Sequence, residues 1–200
     1  MNTSIIHGAK RVCIDIGTST KWVDQLALHL QSTNLDKVTP FFWTGRLHDA
    51  FSEETTEAYL EHLLELSGGG TKPINIFAKS LGAIIAEVSL DKIYKSGKTL
   101  QVNNFVRVGV PDTRSTIGVG NVFNIVNIIS HSDSMYRYAK FPLSLLIKHF
   151  VSENSVQKLE PLQVLFEGFS HSDFNEHGCV VSDKNGTRIN IYDYYSNLLK

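Results

Sequence analysis

The stretch INIFAKSLGAIIAEVSL, residues 74–90, changes its hydrophobic period halfway along. "INIFA" (74–78) is a short apolar run of strand character, whereas "LGAIIAEVSLDKIY" (81–94) places Leu81, Ile84, Ile85 and Val88 on one side of a helix that Gly97 ends. Ser80 stands at the junction. One reading makes it a helix cap, since a serine oxygen readily accepts from an unpaired N–H of the first turn. The other makes it a nucleophile projecting from a tight strand-to-helix turn. That geometry strains the backbone and requires small residues two before and two after the serine. Ala78 and Gly82 supply them.

Outward from this junction the chain alternates strands and helices. "RVCIDI" (11–16) reads as a first strand ending at Gly17, and "KWVDQLALHL" (21–30) carries Trp22, Leu26 and Leu30 at helical spacing. "VTPFFW" (38–43) is a second strand, with Pro40 marking its start or a sheet edge. Asp49 or Ser52 then opens a helix carrying Tyr59, Leu60, Leu63, Leu64 and Leu66, which "SGGG" (67–70) stops. Further strands are expected at 103–110, 122–129 and 162–169, and further helices at 141–150 and 189–200. Only 11 residues separate Val110 from Val122, so that crossover is expected to be a loop without a helix. The pattern predicts an α/β fold, a mainly parallel sheet of about six strands with helices on both faces, in a single domain over 1–200.

Composition excludes several functions. Lys and Arg number 19 against 20 Asp and Glu, a formal charge of −1, which leaves no field to attract nucleic acid or an anionic membrane. No window approaches a membrane span, and the N-terminus has no signal-peptide h-region, so a cytoplasmic, soluble protein is expected. Cys13 and Cys179 sit in apolar runs without a metal-ligand spacing and are read as buried thiols. "GVGNV" (118–122) lacks the third glycine of a dinucleotide site, and "SGGGTKP" (67–73) lacks the Lys-Ser/Thr of a P-loop. No cofactor and no metal are expected.

A serine nucleophile needs a base, and the base needs a carboxylate that fixes its tautomer. In open parallel sheets such groups gather at the carboxyl ends of strands, here in the order serine, acid, histidine. After the strand 122–129, "SHSDSMYRY" places Asp133 in the first loop turn, and after 162–167, "GFSHSDF" places His171 there. Ser80, Asp133 and His171 therefore satisfy both order and location. Asp133 also reads as a cap for "SMYRYA", with His131 a competing titratable group; Asp173 is the second choice of acid and His177 the second choice of base. The remaining histidines (His7, His29, His48, His62, His149) are read as structural. The amide of Leu81 is one expected oxyanion donor; the other is expected from Gly17 or Thr18, in the loop "IDIGTSTKW", which alternatively just caps the helix at Lys21.

These residues resemble the α/β-hydrolase superfamily, in particular its small lipases and esterases. "AKSLGAIIAEV" is similar to the Gly-His-Ser-Leu-Gly-Gly elbow, "VFNIVNIISHSDSMYRYA" to the acid segment and "FEGFSHSDF" to the terminal histidine loop. Ala78 replaces the first glycine, Lys79 the frequent histidine, and the loop at Gly17 shows Asp-Ile-Gly where many relatives carry His-Gly. The resemblance implies a minimal hydrolase fold without a lid, acting on a small-molecule acyl substrate, an ester or thioester. The alternatives are an acyltransferase using the same triad, or a binding protein that kept the sheet and lost the chemistry. Trp43, Phe42, Met135 and Tyr136 are candidates for an apolar acyl site or ordinary core.

Overall fold

A strand lying between two neighbours and covered on both faces has no room for a solvent-facing side. Strand β3 (Ile74–Lys79) fits that description, being buried at every position. The computed structural model describes residues 1–6, 21–33, 37–46, 48–110, 122–133, 162–182 and 185–200. Around β3 it builds a six-stranded sheet in the order β2-β1-β3-β4-β5-β6, with every neighbouring pair parallel. The other members are β1 (Asn2–Ile6), β2 (Val38–Phe41), β4 (Val102–Val108), β5 (Val122–Ile129) and β6 (Leu162–Leu165). Helices α1 (Lys21–Ser32), α2 (Glu53–Leu66), α3 (Leu81–Lys95) and α4 (Ile191–Leu199) complete the described architecture.

Two apolar clusters lie on the two faces. Ile6, Ile74, Ile76 and Ala78 pack with Tyr59 and Leu63 of α2 and with Ile84 and Ile85 of α3. Ile5, Phe77, Val106 and Val108 pack with Val23, Leu26 and Leu30 of α1 and with Tyr192, Tyr195 and Leu199 of α4. Alternation along β3 sends Ala78 to the first face and Phe77 and Lys79 to the second. On the second face, three in-register asparagines link the strands: Asn124 donates to Asn104 (3.2 Å) and Asn104 to Asn75 (3.1 Å). Asn75 in turn donates to the carbonyl of Leu199 (2.6 Å) and so ties the end of α4 to the sheet.

The first strand of the sheet is β1 (Asn2–Ile6). The strand expected at 11–16 and the helix expected at 141–150 lie outside the described residues, as does the short crossover 111–121. β1 escapes a hydrophobicity reading because NTSII opens with three polar residues. Two of them find partners far along the chain: Ser4 Oγ lies 3.1 Å from both Tyr59 Oη and His62 Nε2, and Asn2 donates to the Leu66 carbonyl (2.8 Å). The expected final helix is shorter than read, because Arg188–Asn190 pairs antiparallel with Val180–Ser182 as strands β8 and β7. Asn190 caps α4, accepting from the Tyr192 N–H at 2.8 Å.

The chain passes from β1 through α1 to β2 on one side, then returns to β3 on the other side of β1. Strand order reverses between β1 and β3, and in open parallel sheets ligands bind in the crevice at the carboxyl ends beside such a switch. Ser80 stands at that end of β3.

Candidate active site

Ser80 alone joins β3 to α3, with φ 51° and ψ −125°, and is the only non-glycine residue at positive φ among the described residues. Such a conformation costs a side-chain-bearing residue on the order of 1–3 kcal/mol and persists only where the surroundings impose it. Here the Ser80 N–H donates to the Val108 carbonyl of β4 (2.9 Å) while its own carbonyl accepts from Ala83 (3.0 Å). The helix-cap reading fails, since the Ser80 side chain makes no cap hydrogen bond. Ser52 shows the contrast at α2, with φ −73° and an oxygen accepting from the Thr55 N–H at 3.1 Å. Ala78 and Gly82, two residues before and two after Ser80, are both buried.

Asp133 follows β5 in a turn closed by its N–H on the Ser130 carbonyl (3.2 Å), and it is fully buried. His171 follows β6, and its Nδ1 lies 2.7 Å from Asp133 Oδ2. The carboxylate thus faces Nδ1, which fixes the proton there and leaves Nε2 as the basic nitrogen. Burial holds the imidazole below its ordinary value of 6.5; the Asp133 hydrogen bond opposes that shift and the Lys79 ammonium adds to it. Asp173, the second-choice acid, does something else: its Oδ2 accepts from the Ser170 N–H (2.6 Å) and closes the turn that carries His171. His177 packs edge-on against the rings of His29 and Tyr192.

Two residues complete the setting. Gly109, next after β4, has φ +59°, and a Cβ there would stand 3.2 Å from His171 Cε1 and Nδ1 and 3.3 Å from Asp133 Oδ2. The histidine–carboxylate pair is seated on a position that has no side chain. Sequence reasoning passed over Gly109, although a lone glycine ending the β-branched run "FVRVGV" was a usable signal. Lys79 is buried, its Nζ 5.9 Å from the centroid of the Trp22 ring, and burial pulls its ammonium down to about 7 against the raising influence of Asp133 and Asp173.

Hydrogen bonding among the described residues joins His171 to Asp133 and not to Ser80, which stands at the end of β3 with β4 between it and β5. Leu81 opens α3, where first-turn amides lack helical partners. Gly17 and Thr18 lie outside the described residues, as do Met135, Tyr136 and Cys13. Trp43 belongs to the core beside α2 and α3, and Phe42 is half exposed. Cys179 is a free, partly buried thiol; with Asp173 and Glu176 it forms the group of side chains that offers ligand atoms to a metal, all within 4.8 Å of one another. A serine–histidine contact does form elsewhere, between Ser4 and His62, mid-strand in the core, where it ties β1 to α2.

No family model and no curated protein matches the sequence. Solved structures do match the fold. An esterase from the hyperthermophilic archaeon Pyrobaculum calidifontis superposes with a TM-score of 0.53 at 14% identity, over 87% of this chain and 69% of that one. Carboxyl esterase 2 from the mycorrhizal fungus Tuber melanosporum gives a TM-score of 0.57 at 11% identity, over 86% and 69%. The chain has an α/β-hydrolase fold, a parallel six-stranded sheet flanked by helices. Among the described residues no helix is long and apolar enough to cross a membrane.

Proposed function

We propose that the protein is a serine hydrolase that cleaves a carboxylic ester or thioester through an acyl-enzyme. The observation that carries this reading is the pairing of a buried carboxylate with a histidine, Asp133 with His171 at 2.7 Å, in a sheet whose β3 ends on a strained Ser80 that does no capping. A packing serine needs neither the strain nor the pair.

In this mechanism Ser80 Oγ attacks the substrate carbonyl while His171 Nε2 takes its proton. Asp133 holds the Nδ1–H tautomer and stabilises the imidazolium that forms. The oxyanion develops at the amino end of α3, where the Leu81 N–H and the helix dipole favour negative charge. His171 then returns the proton to the leaving group, and water, activated by the same imidazole, releases the acyl group. The second oxyanion donor belongs to the segment between β1 and α1, which contains Gly17 and Thr18.

Short-chain p-nitrophenyl esters and a fluorophosphonate probe test the proposal. Wild-type protein is expected to turn over the ester and to be labelled at Ser80, and Ser80→Ala to do neither. Equal turnover by the folded Ser80→Ala variant would remove Ser80 from the mechanism. Absence of rapid labelling in wild type would favour a binding protein.

A further inference from the structure

His171 stands beyond β6, whose pairing with β5 ends at Leu165, so the sheet ladder does not aim its imidazole at Asp133. The aim is set by the turn of residues 170–175. One limb of that turn is docked on the body of the protein. Asp173–Asn175 forms a short 3₁₀ turn whose middle residue, Phe174, is buried and packs on the rings of Phe166 and Phe169. Two tyrosines of α4 hold the same limb, Tyr195 Oη donating to the Phe174 carbonyl (2.9 Å) and Tyr192 Oη to the Asn175 carbonyl (2.8 Å).

The other limb carries the histidine and is open to solvent. Ser170 and Ser172 on either side of His171 are exposed. Two hydrogen bonds tie it to the docked limb: the Ser170 N–H donates to Asp173 Oδ2 (2.6 Å), and the Asp173 N–H returns to the Ser170 carbonyl (3.2 Å). The Ser-x-x-Asp spacing is that of a capping box, in which a carboxylate reaches back to the backbone N–H three residues earlier. The carboxylate bond is the shorter, and a bond to an ionised acceptor is roughly twice as strong as a neutral one. Without it the limb keeps the weaker tie.

We propose that Asp173 is a positioning residue for His171: by holding the Ser170 N–H, its carboxylate fixes the solvent-exposed limb of the histidine turn and so keeps the imidazole on Asp133. Asp133 orients the ring directly, and Asp173 orients the backbone that carries the ring. The catalytic meaning rests on the hydrolase reading; the mechanics of the turn do not. The direction of failure follows from burial. The Asp133 side chain is fully buried and the His171 side chain 25% exposed, so a loosened limb carries the imidazole outward and Asp133 cannot follow.

The experiment compares wild type, Asp173→Ala and Asp173→Asn by two readouts, kinetics on a p-nitrophenyl ester and NMR exchange of the His171 Nδ1–H with water. Displacement of a reacting group by ~1 Å costs about 10²-fold, so the partial loosening in Asp173→Ala is expected to lower kcat about tenfold. KM is expected to stay within about twofold, because the base acts in the transition state. Exchange of the Nδ1–H is expected to quicken about tenfold or more, since the ring leaves its carboxylate more often. Asp173→Asn keeps an oxygen that accepts from the same N–H, and is expected to hold kcat within about threefold of wild type. A merely structural Asp173 would lower Tm and leave both readouts unmoved. Unchanged kcat and Nδ1–H exchange in folded Asp173→Ala, or Asp173→Asn as damaging as Asp173→Ala, would overturn the proposal. Where Asp173→Ala fails to fold, exchange in wild type decides. Equal protection of the Ser170 N–H and the His171 Nδ1–H across a range of urea supports one shared opening, and a Ser170 N–H that exchanges as an open amide beside a protected Nδ1–H refutes it. Failure of the hydrolase reading shows as an unlabelled Ser80, and failure of this inference as an Nδ1–H whose exchange does not follow the turn.

Discussion

Replacing Gly109 by alanine tests the seat of the histidine–carboxylate pair. At φ +59° an alanine pays the left-handed penalty of roughly 1–2 kcal/mol, which in a chain of this length lowers Tm by roughly 2–8 °C. Its Cβ would also meet His171 at 3.2 Å and Asp133 Oδ2 at 3.3 Å, so a neighbour must give by a few tenths of an ångström. Asp133 is fully buried and cannot retreat, whereas the His171 side chain is 25% exposed and can. The imidazole is therefore displaced outward and the 2.7 Å bond to Asp133 lengthens. Misplacement by ~1 Å costs about 10²-fold in rate, so this smaller shift is expected to lower kcat on a p-nitrophenyl ester about tenfold. Gly97→Ala is the control, because Gly97 has φ +71° with nothing within 4 Å of the added Cβ. It should show a similar loss of Tm and no loss of kcat. Wild-type kcat in a folded Gly109→Ala protein would refute the reasoning, since the pair would then not rest on residue 109.

Other perturbations reach separate links of the argument. Ser80→Gly is expected to raise stability over Ser80→Ala by about 1 kcal/mol or more in urea denaturation, because glycine accepts φ 51° without strain; equal stabilities would mean that the elbow is unstrained. Asp133→Asn is expected to lower kcat by about 10⁴-fold with the fold retained, the loss seen when a triad carboxylate no longer sets the tautomer, and near-normal turnover would show that Asp133 does not orient the base. The acid limb of kcat/KM in wild type should fall below pH 6.5, as burial lowers the His171 affinity; a midpoint above that value would contradict the burial argument. Arg107→Met removes the buried cation that pairs with the Glu87 carboxylate of α3, and is expected to cost about 3–5 kcal/mol in chemical denaturation, with Glu87→Leu on the same background recovering much of it.

The sequence by itself determined the elements around the elbow. The change of period at Ser80 marks β3 and α3 because a doubly covered strand and a helix packed into the core each leave an apolar signature that neighbours cannot erase. The small residues at 78 and 82 were legible for a similar local reason, the steric demand of one tight turn. The placing of Ser80, Asp133 and His171 after β3, β5 and β6 was also readable, because the connectivity of a parallel sheet puts every second loop at the same edge. The start of the sheet was not. A run such as 11–16 outscores Asn2–Ile6 by hydrophobicity, and Asn2 and Ser4 of β1 meet their hydroxyl, imidazole and carbonyl partners only where α2 packs on the sheet.

Only the tertiary structure decided which acid meets which base. Asp173 and Asp133 lie two and 38 residues from His171, and the nearer one turns away to hold its own loop. Chain proximity favours turn formation, while contact with the outer nitrogen of an imidazole needs a group arriving from another strand. The same holds for Gly109 and Lys79. A glycine acquires a role when two side chains come to rest where its Cβ would be, and a lysine is buried when α1 places Trp22 over it. Those are facts of packing between distant segments, and no local pattern encodes them.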